Sequence, residues 1–335
     1  MTDVITTSHT APQRRPSKTL NRFIGRYWLV ATLLVMIAVF AFLRPQLLDS
    51  SNIATILRSS ALMAIMILGL TWVIAAGKID VSFMQVAALA NMTTAWMLAG
   101  GSGWLLAALC GVAVGALAGL LNGTLIAILR IPPLIVTIAT GGICASIAAA
   151  LGKGTSIRIA DAGPLGEMLF TNWGPVPVIA VIAALLYLAS WYAQEKLTFG
   201  HYIFATAQNE EAVNEAGVSA RSLILFLFVF SAVLSAITGV LLAASLSSGQ
   251  PMIGSSYFID GLTAVLLGGM MLRIGKPNVL GTTTAILLLS VLVSGSAMFG
   301  WADYQRQIIK GVLLLVGVAV AMRAGRRTSS HAQGA

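Results

Sequence analysis

The chain has 335 residues, of which 58% are hydrophobic and 9% charged, with a mean hydropathy of +0.90 and a formal net charge of +9. Soluble domains carry about 25% charged residues, so a chain this apolar reads as an all-α polytopic membrane protein. A β-barrel is excluded because its strands alternate apolar and polar positions in segments of about ten, whereas the apolar runs here are continuous.

Residues 1–26 are polar and basic, with Arg14, Arg15, Lys18, Arg22 and Arg26, and read as a disordered tail. The Arg14–Arg15 pair suggests a twin-arginine export signal, but none is expected here. The apolar run after it is long and lacks a small-x-small cleavage site, so an uncleaved first span is expected at 27–43. Further spans are expected at 60–76, 83–99, 104–128, 134–151, 175–193, 222–246, 261–272, 279–297 and 308–322, about ten in all, with a basic tail at 323–335. The membrane domain thus runs from 27 to 322. Between the second and third spans, GKIDVS (77–82) interrupts the apolar run as a loop or as a break in a discontinuous helix. Span 104–128 carries Gly111, Gly115, Gly119 and Gly123, which stack on one helical face and let another backbone approach, within the subunit or at a dimer seam. Residues 152–174 read as a polar loop. Cys110 and Cys144 lie inside apolar runs and read as core thiols. His9, His201 and His331 lack metal-ligand spacing.

The longest polar interruption is 194–221. Within it Asn209 is the expected N-cap of a short helix, Glu210 and Glu211 occupy its positive first turn, and Gly217 is its C′ residue. So short a helix is marginal alone, and Glu211 and Glu215, four apart, oppose it by roughly 0.2–0.5 kcal/mol. The rest of the chain or a partner must hold it. Ala212 and Ala216, also four apart, offer a small-residue face for a partner.

With the amino terminus inside and ten spans, both termini and 194–221 lie in the cytoplasm. Of the 20 basic residues, only Arg44, Arg58, Lys153, Arg158, Arg306 and Lys310 then fall outside. This bias explains the positive charge without a nucleic-acid partner. There is no Walker-A string, no H-E-x-x-H and no serine elbow, so the chain is not expected to be an enzyme or to bind a metal or cofactor. An ion-coupled carrier would expose ionisable groups near the midplane. Only Asp80 approaches that, with Asp260 and Lys310 at span edges. Asp80 reads either as a cap on the third span or as a charge in a helix break lining a path.

Four strings resemble, in order and over roughly 60–320, the ribose-type permeases of ABC importers. They are GLTWVIAAGKIDVS (69–82), LNGTLIAILRIPPLIVTIAT (121–140), FGHYIFATAQNEEAVNEAGV (199–218) and LLGGMMLRIGKPNVLGT (266–282). The resemblance implies an inner-membrane subunit of a bacterial importer for a monosaccharide or sugar-like molecule, working beside a second permease copy or a sister subunit in membrane lipid. It implies a cytoplasmic ATP-binding subunit that hydrolyses ATP, and a periplasmic binding protein that delivers the substrate. Asn209, Glu210, Glu211, Ala212, Glu215, Ala216 and Gly217 match the segment that meets the ATPase. Asp80, Ser82 and Asn122 are the expected polar residues of the translocation path. The alternative is an ion-coupled secondary transporter of small polar solutes. Lys78, Phe83–Met84, Met270–Met271, Arg273, Lys276 and Pro277 depart from the family's small residues.

Overall fold

The computed structural model describes residues 18–272 and 275–329. Its helices are α1 (Lys18–Leu43), α2 (Ser50–Ala75), α3 (Phe83–Ala99), α4 (Trp104–Ala127), α5 (Pro133–Leu151), α6 (Gly163–Phe170), α7 (Val178–Lys196), α8 (Thr198–Thr206), α9 (Glu210–Glu215), α10 (Ala220–Leu246), α11 (Ser255–Gly268), α12 (Val279–Met298) and α13 (Asp303–Ser329). Each expected apolar run falls on one of them. The helices α2, α4, α5, α7, α10 and α12 are long and apolar enough to cross a membrane. In hydrocarbon the backbone must satisfy its own hydrogen bonds, which a helix does within one segment.

The middle of the bundle is α2 and α10. Helix α10 packs against α2, α3 and α4, while α2 also packs against α7, α11 and α12. Helices α4, α5 and α7 turn leucines and isoleucines outward, among them Leu105, Leu109, Leu117, Ile135, Ile138 and Leu188. An apolar exterior around a close-packed interior suits a chain whose solvent is lipid.

Close packing here is made by glycine. A Cβ on Gly111 would lie 2.4 Å from Thr94 Oγ1, on Gly115 2.3 Å from the Ala236 Cβ, on Gly119 2.6 Å from the Ala232 Cβ, and on Gly123 3.0 Å from the Leu225 Cα. The stripe on α4 therefore faces α10 of the same chain, with Thr94 of α3 at one end. Across the bundle, a Cβ on Gly69 of α2 would meet the Ser231 Cα of α10 at 2.4 Å.

Several boundaries differ from the sequence expectation. Helix α1 starts at Lys18, inside the expected 1–26 tail; residues 1–17 lie outside the described residues. Helix α2 begins at Ser50 and so includes Arg58. Its guanidinium donates to the Leu169 carbonyl (Nε, 2.8 Å) and the Asn172 amide oxygen (Nη2, 3.2 Å), and lies 4.7 Å from the Phe170 ring centroid. Helix α11 covers 255–268, earlier than 261–272, because the chain turns at Gly269. A Cβ on Gly268 would lie 2.4 Å from the Thr282 nitrogen of α12. Helix α13 runs to Ser329, past the expected end at 322; residues 330–335 and Arg273 lie outside the described residues. The polar loop 152–174 contains α6 and two short strands, β1 (Ile157–Arg158) and β2 (Asn172–Trp173), and β3 (Val176–Pro177) follows at the start of the expected span 175–193. Strand β1 pairs antiparallel with β4 (Ser248–Gly249), and β2 pairs with β3, so the all-α reading needs these two small ladders added.

Gly119→Leu forces a branched side chain into backbone and Cβ atoms of α10. Overpacking costs about 1–3 kcal/mol, and a thermal melt in detergent reads it as a lowered midpoint. At Gly142 of α5 no atom lies within 4 Å of an added Cβ, so Gly142→Leu serves as the control and keeps the parent midpoint. Equal midpoints for both variants contradict the packing.

Candidate functional site

Two structures meet where α2 ends. The first is a buried polar network. Helix α2 closes with Gly77 in the left-handed region (φ +73°), the Lys78 amide bonding the Val73 carbonyl and the Gly77 amide bonding that of Ile74. This is the arrangement in which a glycine ends a helix at no steric cost. The chain runs non-helically to Ser82, and α3 begins at Phe83, so 77–82 separates two helices. Asp80, 1% exposed, accepts on Oδ1 from the Ser82 amide (2.9 Å) and hydroxyl (2.6 Å), and on Oδ2 from the Ser231 hydroxyl of α10 (3.1 Å). Behind Ser82, the Asn122 amide of α4 donates to the Ser82 hydroxyl oxygen (2.8 Å). The Thr140 hydroxyl of α5 donates to the Asn122 amide oxygen (2.6 Å). All of these side chains are buried.

The donors therefore point one way, from Thr140 through Asn122 and Ser82 to the carboxylate. Such a chain polarises toward its acceptor, which satisfies a buried carboxyl group. Lys78 does not neutralise Asp80; its ammonium bonds Glu210. Asp80, Ser82 and Asn122, singled out from sequence, are thus brought together. Ser231 and Thr140 were not singled out. Thr140 ends the 121–140 string, and Ser231 is a hydroxyl in an apolar run; neither has a local pattern that pairs it with Asp80, 151 residues from Ser231.

The second structure is the segment laid across this break. Helix α9 is capped at both ends. The Asn209 side chain accepts from the Glu211 (2.9 Å) and Ala212 (3.2 Å) amides. At the other end Gly217 has φ +82°, and the Val218 and Gly217 amides return to the Val213 and Asn214 carbonyls. Val213 is buried and pins the helix, while Glu211, Ala212, Glu215, Ala216 and Gly217 face outward. Three contacts fix the segment to the bundle. Lys78 Nζ lies 2.5 Å from Glu210 Oε1. The Asn214 side chain accepts from the Ala220 amide at the start of α10 (3.0 Å). Preceding α9, α8 was not expected; its Phe199 ring sits 5.7 Å from Trp72 of α2 and 5.7 Å from Phe226 of α10. The departures Lys78 and Lys276 both reach this segment, Lys276 lying 5.7 Å from the Phe204 ring centroid.

With this geometry in hand, comparison with known proteins places the chain. The family described as "Branched-chain amino acid transport system / permease component" matches residues 52–318. The chain belongs to this permease family. Among its relatives, the ribose import permease protein RbsC of Bacillus subtilis is 30% identical over 85% of this chain and 89% of its own length. The L-arabinose transport system permease protein AraH of Escherichia coli is 29% identical over 95% of this chain and 96% of its own length. A solved structure of a metal-chelate type ABC transporter, inward-facing, superposes with a TM-score of 0.51 at 14% identity, covering 89% of this chain and 98% of that one, which speaks to the fold alone.

Beside Ser59 and Met63 of α2, the permease holds a second polar group. Lys310 of α13, 4% exposed, donates to both carboxylate oxygens of Asp260 of α11 (2.6 and 2.8 Å). A cavity of about 340 Å³ opens beside the pair, lined also by Tyr257, Ser290, Arg306 and Gln307. These two residues, assigned to span edges from sequence, thus neutralise one another.

Asn122→Ala strips the Ser82 hydroxyl of its donor and leaves Thr140 the Val136 carbonyl at 3.0 Å and the Thr137 carbonyl at 3.5 Å. Leaving buried polar groups unpaired costs about 1–3 kcal/mol, read as a lowered melting midpoint in detergent. Ser146→Ala, at an exposed hydroxyl bonded only within α5, stays within about 0.5 kcal/mol of the parent. Indistinguishable midpoints contradict the network.

Proposed function

We propose that this permease is the membrane-spanning subunit of a bacterial inner-membrane ABC importer for a monosaccharide or sugar-like molecule, with about ten spans and both termini in the cytoplasm. The observation that carries the proposal is α9: a capped, anchored helix too short to stand alone, with a small-residue face turned outward, joined by an ion pair to the helix break. In this reading α9, with Asn209, Glu210, Glu211, Ala212, Glu215, Ala216 and Gly217, docks on a cytoplasmic ATP-binding subunit. That subunit hydrolyses ATP. A periplasmic binding protein delivers the solute, and a second copy or a sister permease completes the pathway. The sugar relatives support the substrate class. The concentration of basic residues in the segments assigned to the cytoplasmic side supports the topology. ATP binding shifts the inward/outward equilibrium by favouring one state of the pair.

Asp80, Ser82 and Asn122 are proposed to shape the path at its cytoplasmic mouth, since the network they form sits where the break meets α4, α5 and α10. The glycine stripe on α4 serves the fold of the subunit, its contacts lying on α10.

The test is Ala212→Arg in the complex with its ATP-binding subunit. An arginine on the docking face removes co-purification of the ATPase, while on a solvated loop it changes stability by no more than about 0.5 kcal/mol and alters nothing else. Retained co-purification overturns the docking role. In the same complex Asp80→Asn keeps assembly and lowers sugar uptake; parent-level uptake at limiting and saturating sugar leaves Asp80 as a cap on α3.

A further inference from the structure

We infer that Lys78 and Glu210 form a latch through which α9 sets the position of the 77–82 break and, with it, the Asp80 network. The inference rests on the docking role of α9 proposed above.

Three observations combine. The Lys78 ammonium lies 2.5 Å from Glu210 Oε1, joining the end of α2 to the first turn of α9 across 132 residues of sequence. Beside it the two backbones touch. A Cβ on Gly77 would lie 3.1 Å from the Ala207 Cα, in the turn between α8 and α9. The break therefore has little slack against the segment that carries α9. Lys78 is also only two residues from Asp80, a span of roughly 7 Å when fully extended, so a shift of α9 reaches the carboxylate instead of being absorbed. Asp80 in turn holds the start of α3 and Ser231 of α10 and, through Ser82, reaches α4 and α5.

A second route runs in parallel. The Asn214 side chain of α9 caps the Ala220 amide, at the start of the helix that carries Ser231. Helix α9 thus grips both partners of the carboxylate: the break that bears Asp80 and the helix that bears Ser231. Two routes converging on one buried anion make a relay, because moving α9 changes the relation of Asp80 to Ser231. The latch suits this task. Its side chains are 21% and 44% exposed, and a pair that open to solvent adds little to stability. What it supplies is position. Lys78 is a positioning residue: it touches the helix that docks, not the solute.

The experiment needs no knowledge of the solute. Ile79, 47% exposed, lies in the break between Lys78 and Asp80. In a Cys110→Ala/Cys144→Ala background, the thiol introduced by Ile79→Cys is labelled with a maleimide in the full complex with its ATP-binding subunit in lipid nanodiscs, without nucleotide and with ATP plus vanadate. With the latch intact the labelling rate changes by about fivefold or more between the two states, the lower end of ordinary allosteric coupling. Lys78→Glu alone brings that ratio close to one while the ATPase still co-purifies. Lys78→Arg, which keeps the cation opposite Glu210, retains the nucleotide dependence. A nucleotide dependence undiminished by Lys78→Glu overturns the latch, as does its absence from the parent. Loss of the ATPase from Lys78→Glu would place Lys78 in docking and also overturn the relay. Failure of the docking role itself shows separately, as ATPase retained by Ala212→Arg.

Discussion

The constraint on which the fold turns is a carboxylate in the interior of a membrane bundle. A carboxyl group there must be hydrogen-bonded on every side that lacks water. Asp80 meets that demand with hydroxyl and amide donors from the break and α10, backed by α4 and α5. Such short bonds need helices closer than ordinary side chains allow. Asn122 reaches Ser82 from an α4 that lies against α10 through Gly119 and Gly123, on either side of it. Ser231 is reached because Gly69 lets α2 and α10 come together over its Cα. Glycine packing and the polar network are thus one device: the first brings the backbones together, and the second fixes which arrangement they hold.

Much of the bundle was legible in the sequence because its signals are local. Continuous apolar runs locate spans, Gly77 and Gly217 mark helix ends that need positive φ, and Asn209 announces a cap two residues before the amide it receives. Asp80 drew attention as a lone carboxylate in a helix break. What was not legible is what lies far away in the chain. Ser231 and Thr140 carry no mark that they serve Asp80. The glycine period signalled close approach but not the partner, which proved to be α10. Arg58 lies within α2 because α6, read as loop, supplies the Leu169 carbonyl that receives it. Helix α8 was missed because its hold on the bundle is an aromatic contact with Trp72 and Phe226 rather than a periodic pattern.

The departures from the family pattern take on a different meaning in three dimensions. Read along the chain, Lys78 and Lys276 only depart from the family's small residues. In the fold both side chains turn to the α8–α9 segment, one to Glu210 and one to the Phe204 ring. Their chemistry bears on how that segment is held. The ionisable groups within the bundle are likewise committed to protein partners: Asp80 to hydroxyls and amides, Asp260 to Lys310. A cation-coupled carrier would keep such a carboxylate available to the ion it binds.

The energy source is therefore the central claim, and one measurement addresses it directly. The permease is reconstituted in proteoliposomes with its ATP-binding subunit and periplasmic binding protein, and uptake of a panel of labelled monosaccharides is followed with and without ATP. Proton and sodium gradients are collapsed by ionophores in parallel samples. Uptake that requires ATP and survives the loss of both gradients is the predicted result. Uptake that proceeds without ATP and stops when a gradient is collapsed would contradict the account.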